Sequence, residues 1–143
     1  MYFWDSNILR AFGDGHATVR RHIDKVGWEK IALPSVVVSE VLRGRIEFTL
    51  KADTGAQLAQ ANRLFMETYE MLQSFNMLVF DEASGREFDN LRRRYKKHKS
   101  RADMLIASIA LAGKHIVVTR NVEHFRELLP QSQIENWIDI PPR

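Results

Sequence analysis

Tyr2-Phe3-Trp4-Asp5-Ser6-Asn7-Ile8-Leu9 opens the chain, and its reading sets the fold. Three apolar residues with large rings suit a short buried strand. The aspartate that closes them and the serine beside it are both helix-capping types, so Ser6-Asn7-Ile8-Leu9 reads as the start of a helix. A strand that passes directly into a capped helix is half of an α/β unit. It also leaves one carboxylate, Asp5, just past the end of the strand.

The alternation repeats along the chain. Gly13-Asp14-Gly15 breaks the first helix, and a second is expected from His16 to Val26, ending at Gly27. Ile31-Ala32-Leu33 reads as a strand, followed by a helix to about Phe48 that tolerates Pro34 in its first turn and is weakened by Gly44. Between Ala52 and Phe75 lies the longest helical pattern, with Leu58, Ala61, Phe65, Thr68, Leu72 and Phe75 on one stripe. Met77-Leu78-Val79-Phe80 reads as a third strand, and Asp81 begins a helix carrying Phe88, Leu91 and Tyr95. Ser100 to Ala112 is a strongly apolar helix, with a left-handed cap expected at Gly113. The β-branched run Ile116-Val117-Val118 follows, then a brief helix over Val122 to Leu128. Ile138-Asp139-Ile140 is read as a final edge strand. Strands alternating with helices, with no hairpin signal between them, predict a parallel sheet of four to five strands covered on both faces, a three-layer α/β/α sandwich.

The 143 residues are enough for one compact core, and residues 1–143 read as a single domain without repeat or linker. A hydrophobic fraction of 45% with 27% charged residues is that of an ordinary globular protein, which argues against disorder. The absence of cysteine excludes disulfides and thiolate metal sites. No apolar run is long enough to cross a bilayer and the first residues lack a secretory pattern, so a cytoplasmic protein without a membrane partner is expected.

Asp5, Glu40 and Asp103 each stand where an apolar segment begins or ends. Right-handed crossovers between parallel strands put every carboxyl end on one edge of the sheet. Asp5 and Asn121 follow strands, Glu40 lies near the start of the helix after the second strand, and Asp103 is in the first turn of the helix leading to Ile116. All four are therefore expected on the edge where open α/β sheets bind ligands. Carboxylates that converge there suit Mg²⁺ or Mn²⁺, ions that take hard oxygen ligands. Each acid also has a plainer explanation. Asp5 and Asn121 are cap types, Ser100-Arg101-Ala102-Asp103 has the outline of a capping box, and Glu40 alone reads as a solvated helix residue. Caps arising independently need not all fall on one edge.

These segments resemble PIN domains, in particular the VapC-type ribonuclease toxins of toxin–antitoxin pairs. The matching pieces are Tyr2 to Leu9, Ser39-Glu40-Val41-Leu42-Arg43-Gly44, Ala102-Asp103-Met104-Leu105-Ile106-Ala107, Val117 to Phe125, and Ile134-Glu135-Asn136-Trp137. The resemblance implies metal-dependent hydrolysis of RNA that leaves a 5′-phosphate and a 3′-hydroxyl. It implies that Asp5, Glu40 and Asp103 hold Mg²⁺ or Mn²⁺, and that Thr119 orients a carboxylate or water, with Asn7 in a supporting place. An antitoxin protein and a second copy of the chain are the implied partners, bound through apolar helix surfaces. Many relatives carry a fourth acid at or just beyond the position of Asn121; here Asn121 is neutral but can bind metal or water through its side-chain oxygen, and Glu123 can supply the charge if its helix turns it inward, with His124 nearby. None of the five histidines shows zinc-ligand spacing, and none is assigned to metal.

The net charge of +3 is unevenly spread. From Asp81 to Arg101, eight basic residues face four acids, a local +4 that leaves −1 for the remainder. Arg92, Arg93, Arg94, Lys96, Lys97, Lys99 and Arg101 are expected to grip an RNA backbone beside Asp103, with Tyr95 or His98 offering a face to an unstacked base. The plainer reading is a solvated helix end whose cations suit the helix dipole. Two other functions compete. An aspartyl phosphatase also places Asp after its first strand, but needs an acid where Asn7 stands. A PIN-like RNA- or protein-binding domain with weak or lost catalysis would fit the neutral Asn121.

Overall fold

The computed structural model describes residues 1–97 and 100–143. Five strands form one sheet in the order β3-β2-β1-β4-β5: β1 (Tyr2–Trp4), β2 (Ile31–Pro34), β3 (Asn76–Leu78), β4 (Ile116–Val118) and β5 (Ile134–Glu135). Every pairing is parallel, with Tyr2 opposite both Ile31 and Ile116. Seven α-helices occur among the described residues: α1 (Ser6–Gly13), α2 (Ala17–Val26), α3 (Ser35–Leu50), α4 (Gly55–Gln73), α5 (Glu82–Arg94), α6 (Arg101–Gly113) and α7 (Val122–Phe125). The parallel α/β sandwich expected from the alternation is therefore present, with five strands.

Side chains on successive strand residues point to opposite faces, and that parity builds two cores. Phe3, Ala32 and Val117 join Val37 of α3, Leu91 of α5 and the apolar face of α6. Trp4, Leu33 and Val118 join Ile8 and Leu9 of α1, Val19 of α2, Leu72 and Trp137. Aromatic rings dominate the second core. Trp4 is fully buried, with ring centroids 5.3 Å from Phe12, 5.3 Å from Phe75, 6.2 Å from Trp28 and 6.1 Å from Trp137.

Several local expectations shift. Ile138-Asp139-Ile140 is not a strand; the edge strand is Ile134–Glu135. The Asn136 side-chain oxygen accepts from the amides of Ile138 (3.0 Å) and Asp139 (3.1 Å), and this Asx turn bends the backbone out of extended form. Trp137, fully buried, is the residue that anchors the segment. Strand β3 begins at Asn76 and stops at Leu78, leaving Val79 and Phe80 exposed beyond it. On the α4 stripe, Ala61, Thr68, Leu72 and Phe75 are buried but Leu58 is exposed. At the end of α6 the left-handed residue is Lys114 (φ 54°), not Gly113. Gly113 is needed for space instead. A Cβ there would lie 2.0 Å from Nε2 of His115, whose ring stacks on Phe3.

Candidate functional site

Because β1 sits mid-sheet, the chain winds outward through β2 and β3, then crosses back to β4 on the other side. Strand order reverses beside β1, where open α/β sheets form their ligand crevice. Asp5 and Thr119 immediately follow β1 and β4 at that crevice, and the Asp5 amide donates to the Val118 carbonyl at 3.0 Å.

Asp5 is buried, and three donors hold it. The Ser6 amide donates to one carboxylate oxygen at 2.8 Å, so the capping role is real. The second oxygen accepts from the Thr119 hydroxyl at 2.9 Å and from the Asn7 amide at 3.2 Å. The Thr119 hydroxyl in turn accepts from the Asn121 amide at 3.0 Å, and the Asn7 oxygen accepts from the Arg120 amide at 3.0 Å. One network thus ties the β1 end to the β4 end. A buried hydroxyl that both donates and accepts fixes the rotamer of its partner.

Glu40 comes from the second turn of α3 and lines a groove of about 600 Å³ with Ser6, Arg10, Arg45 and Phe48. The residue as a whole is exposed, and its carboxyl is only partly sheltered. Burial pushes that carboxyl above the usual range, and the negative charges of Asp5 and Asp103 push it further. Glu40 therefore lies within reach of the charges of two acids from distant stretches of the chain. An acid whose folded pKa is raised binds its proton more readily when folded, so its ionisation weakens the fold as pH rises through that pKa. The window runs from the ordinary value of 4.5 up past the raised one. At pH 7, Glu40→Gln is expected to raise Tm of the metal-free protein by roughly 1–2 °C, a figure kept small by solvent screening. That gain should vanish below the ordinary carboxylate range; identical Tm values at pH 7 would contradict the repulsion.

Asp103 lies in the first turn of α6, where its amide donates to the Ser100 hydroxyl at 3.2 Å, the first half of a capping box. Its carboxylate faces His124 of α7, with Nδ1 at 3.5 Å. Asn121 precedes α7 and makes no side-chain cap bond, so its expected capping role is not observed. Glu123 pairs outward with Arg126 at 2.9 Å. Of the two candidates for a fourth acid-like ligand, one is thus turned to solvent. The neighbour passed over in the sequence, His124, is the one turned toward Asp103. A one-turn helix is too short for periodicity to say which residue faces inward.

Among the described residues, no three His, Asp or Glu side chains are gathered tightly enough to hold an ion as they stand. The donor set itself, three carboxylates of which Glu40 feels the charge of the other two, fits the hard oxygen ligands of a divalent cation, which would relieve the repulsion on Glu40.

The basic residues divide. Arg101 stays two residues from Asp103 and lies over the Phe88 ring at 5.7 Å. Arg93, Arg94, Tyr95, Lys96 and Lys97 surround a shallow hollow with Glu127, and Arg94 shares a second hollow with Leu111. Leu111 is eight residues beyond Asp103 on α6, about 12 Å along the helix at 1.5 Å per residue. The main cationic surface is therefore displaced from the acids. Lys99 and His98 lie outside the described residues.

The PIN-domain family profile matches residues 2–128. No curated protein matches the sequence significantly. Solved structures do. FitAcB from Neisseria gonorrhoeae superposes with a TM-score of 0.76 at 21% identity, over 98% of this chain and 100% of that one. A toxin–antitoxin complex from Klebsiella pneumoniae gives 0.68 at 18%, over 98% and 100%. VapBC2 from Rickettsia felis, bound to a DNA fragment from its promoter, gives 0.66 at 23%, over 95% and 98%. At these identities the structures show a common fold. With the profile covering nearly the whole chain, the conclusion is that this protein belongs to the PIN-domain family.

Proposed function

We propose that residues 1–143 act as one PIN domain that cuts RNA phosphodiester bonds with Mg²⁺ or Mn²⁺, as the toxin of a toxin–antitoxin pair. The observation that carries this reading is the crevice beside β1, where strand order reverses and the Thr119 hydroxyl fixes the buried Asp5 carboxylate, with Glu40 close enough to feel the charges of Asp5 and Asp103. Asp5, Glu40 and Asp103 would hold the ion. When bound, it supplies positive charge that polarises a phosphoryl oxygen and favours ionisation of an attacking water. The chain's own residues do the positioning. Thr119 locks the Asp5 carboxylate, Asn7 ties that lock to the β4 loop, and the crevice leaves Glu40 at the mouth of the groove.

RNA binding is assigned to Arg92, Arg93, Arg94, Lys96, Lys97 and Arg101, which contact backbone phosphates rather than bases. Phosphate contacts set affinity and salt dependence with little sequence choice. Replacing Arg93, Lys96 and Lys97 together by Ala should weaken binding most at low salt. The slope of log K against log salt should fall by about 2, from roughly 0.7 per neutralised phosphate on a single strand. An unchanged slope would return these side chains to a solvated surface.

A protein partner is supported by apolar side chains left in solvent on α3 and α4: Ile46, Phe48, Leu50, Leu58, Met66 and Tyr69. The similar structure from Klebsiella pneumoniae is a toxin–antitoxin complex, and those of FitAB and of VapBC2 from Rickettsia felis are bound to DNA fragments. We assign this surface to a cognate antitoxin, and propose a homodimer as the second assembly. The reaction itself is tested by single-turnover RNA cleavage with and without added Mg²⁺ or Mn²⁺. Cutting that proceeds equally in EDTA would overturn the assignment.

A further inference from the structure

We infer that His124 is a direct metal ligand beside Asp103, and that it tilts the site away from Mg²⁺ toward first-row transition ions. The inference rests on the metal-dependent reading above. Where a fourth oxygen ligand would be expected, the chain has Asn121, whose side chain is neutral, and Glu123, whose carboxylate is engaged by Arg126 at 2.9 Å. The α7 turn instead carries the His124 ring inward, placing Nδ1 3.5 Å from an Asp103 carboxylate oxygen.

That separation is informative. It is longer than a hydrogen bond between these atom types, which clusters near 2.9 Å. Two donors that each stand about 2.1 Å from one ion are about 3.0–3.4 Å apart for bond angles of 90–109°. At 3.5 Å the pair lies just outside that range, so a small rotation of the exposed imidazole would bring both donors onto one ion. Exposure is consistent with access. The Asp103 side chain retains 14% of its surface and the His124 side chain 59%, so the imidazole side of the pair faces solvent. Imidazole nitrogen is a softer donor than carboxylate and favours transition ions, whereas Mg²⁺ prefers oxygen and holds its water tightly.

Two probes separate the alternatives. Co²⁺ and Mg²⁺ binding to the RNA-free full chain is measured by calorimetry, and the Co²⁺ complex by its visible absorption. His124→Ala should lower Co²⁺ affinity about tenfold and shift the absorption bands, with Mg²⁺ affinity changing less than twofold. His124→Asp should strengthen Mg²⁺ and narrow the preference, because an oxygen donor replaces nitrogen at the same place. The side chain is largely exposed, so both variants should keep the parental Tm within about 2 °C. Equal losses for the two metals would overturn the transition-ion preference, and an unchanged Co²⁺ spectrum in His124→Ala would overturn the ligand assignment. Parent protein that binds neither ion, or binds both as well after Asp103→Asn, would overturn the metal site itself and this inference with it.

Discussion

RNA cleavage by Asp5→Asn should be slower than by the parent by at least ~100-fold under single-turnover conditions, the scale expected when an essential electrostatic group is removed. The substitution acts twice. It deletes one of the charges that would hold the ion, and it turns an acceptor into a donor inside a network of donors. The second Asp5 oxygen now accepts from both Thr119 and Asn7. An asparagine amide placed there would face the Thr119 hydroxyl, whose two acceptor positions are already taken by the Asn121 backbone amide at 3.0 Å and the Asn7 side-chain amide at 3.4 Å. Asn with its oxygen toward Thr119 would instead set its amide against the Ser6 amide. Either rotamer leaves a donor opposed to a donor, at about 1–3 kcal/mol. Asp103→Asn should lose activity on the same scale. Full activity in either variant, with its fold intact, would remove these acids from the chemistry.

The second large effect concerns the core. Trp4→Ala should cost about 3–5 kcal/mol, the usual range for truncating a buried large aromatic. That is a large share of the ~5–15 kcal/mol that a domain of this kind has in total. Trp4 is the ring that Phe12, Phe75, Trp28 and Trp137 all touch, so its loss leaves four rings facing a void. The indole N–H adds a sharper comparison. Among the described residues it meets no acceptor, and a buried donor without a partner is itself costly. Trp4→Phe should therefore cost under ~1.5 kcal/mol, since the smaller ring loses contacts but also removes the orphan donor. Urea denaturation of the two variants measures this directly. A Phe variant as unstable as the Ala variant would mean that the indole nitrogen contributes to the fold.

Much of this was legible in the residues, for identifiable reasons. The strands are short and apolar because both faces are covered, and capping residues mark most helix starts, as Asp5, Thr54, Asp81 and Ser100 do with observed side-chain bonds. Parallel topology puts every strand's carboxyl end on one edge, and Glu40 does lie within reach of the charges of Asp5 and Asp103. What the residues hid depends on turns and facing. Ile138-Asp139-Ile140 alternates like a strand, but the Asn136 side chain captures the following amides and Trp137 draws the segment into the core. Adjacency in sequence placed Arg92 to Lys97 beside Asp103, whereas the helix geometry carries Arg94 to the far end of α6. In α7, four residues long, the inward place fell to His124 rather than Glu123.

The claim on which the account stands is that three carboxylates from separate elements share one divalent ion. Mn²⁺ binding isotherms for the RNA-free parent, Asp5→Asn, Glu40→Gln and Asp103→Asn test it most directly. One site in the parent, weakened at least ~10-fold by each substitution separately, is the result expected of shared ligands. A parental isotherm preserved in any one of the three folded variants would show that the acid it lost is not a ligand, and would contradict the shared site.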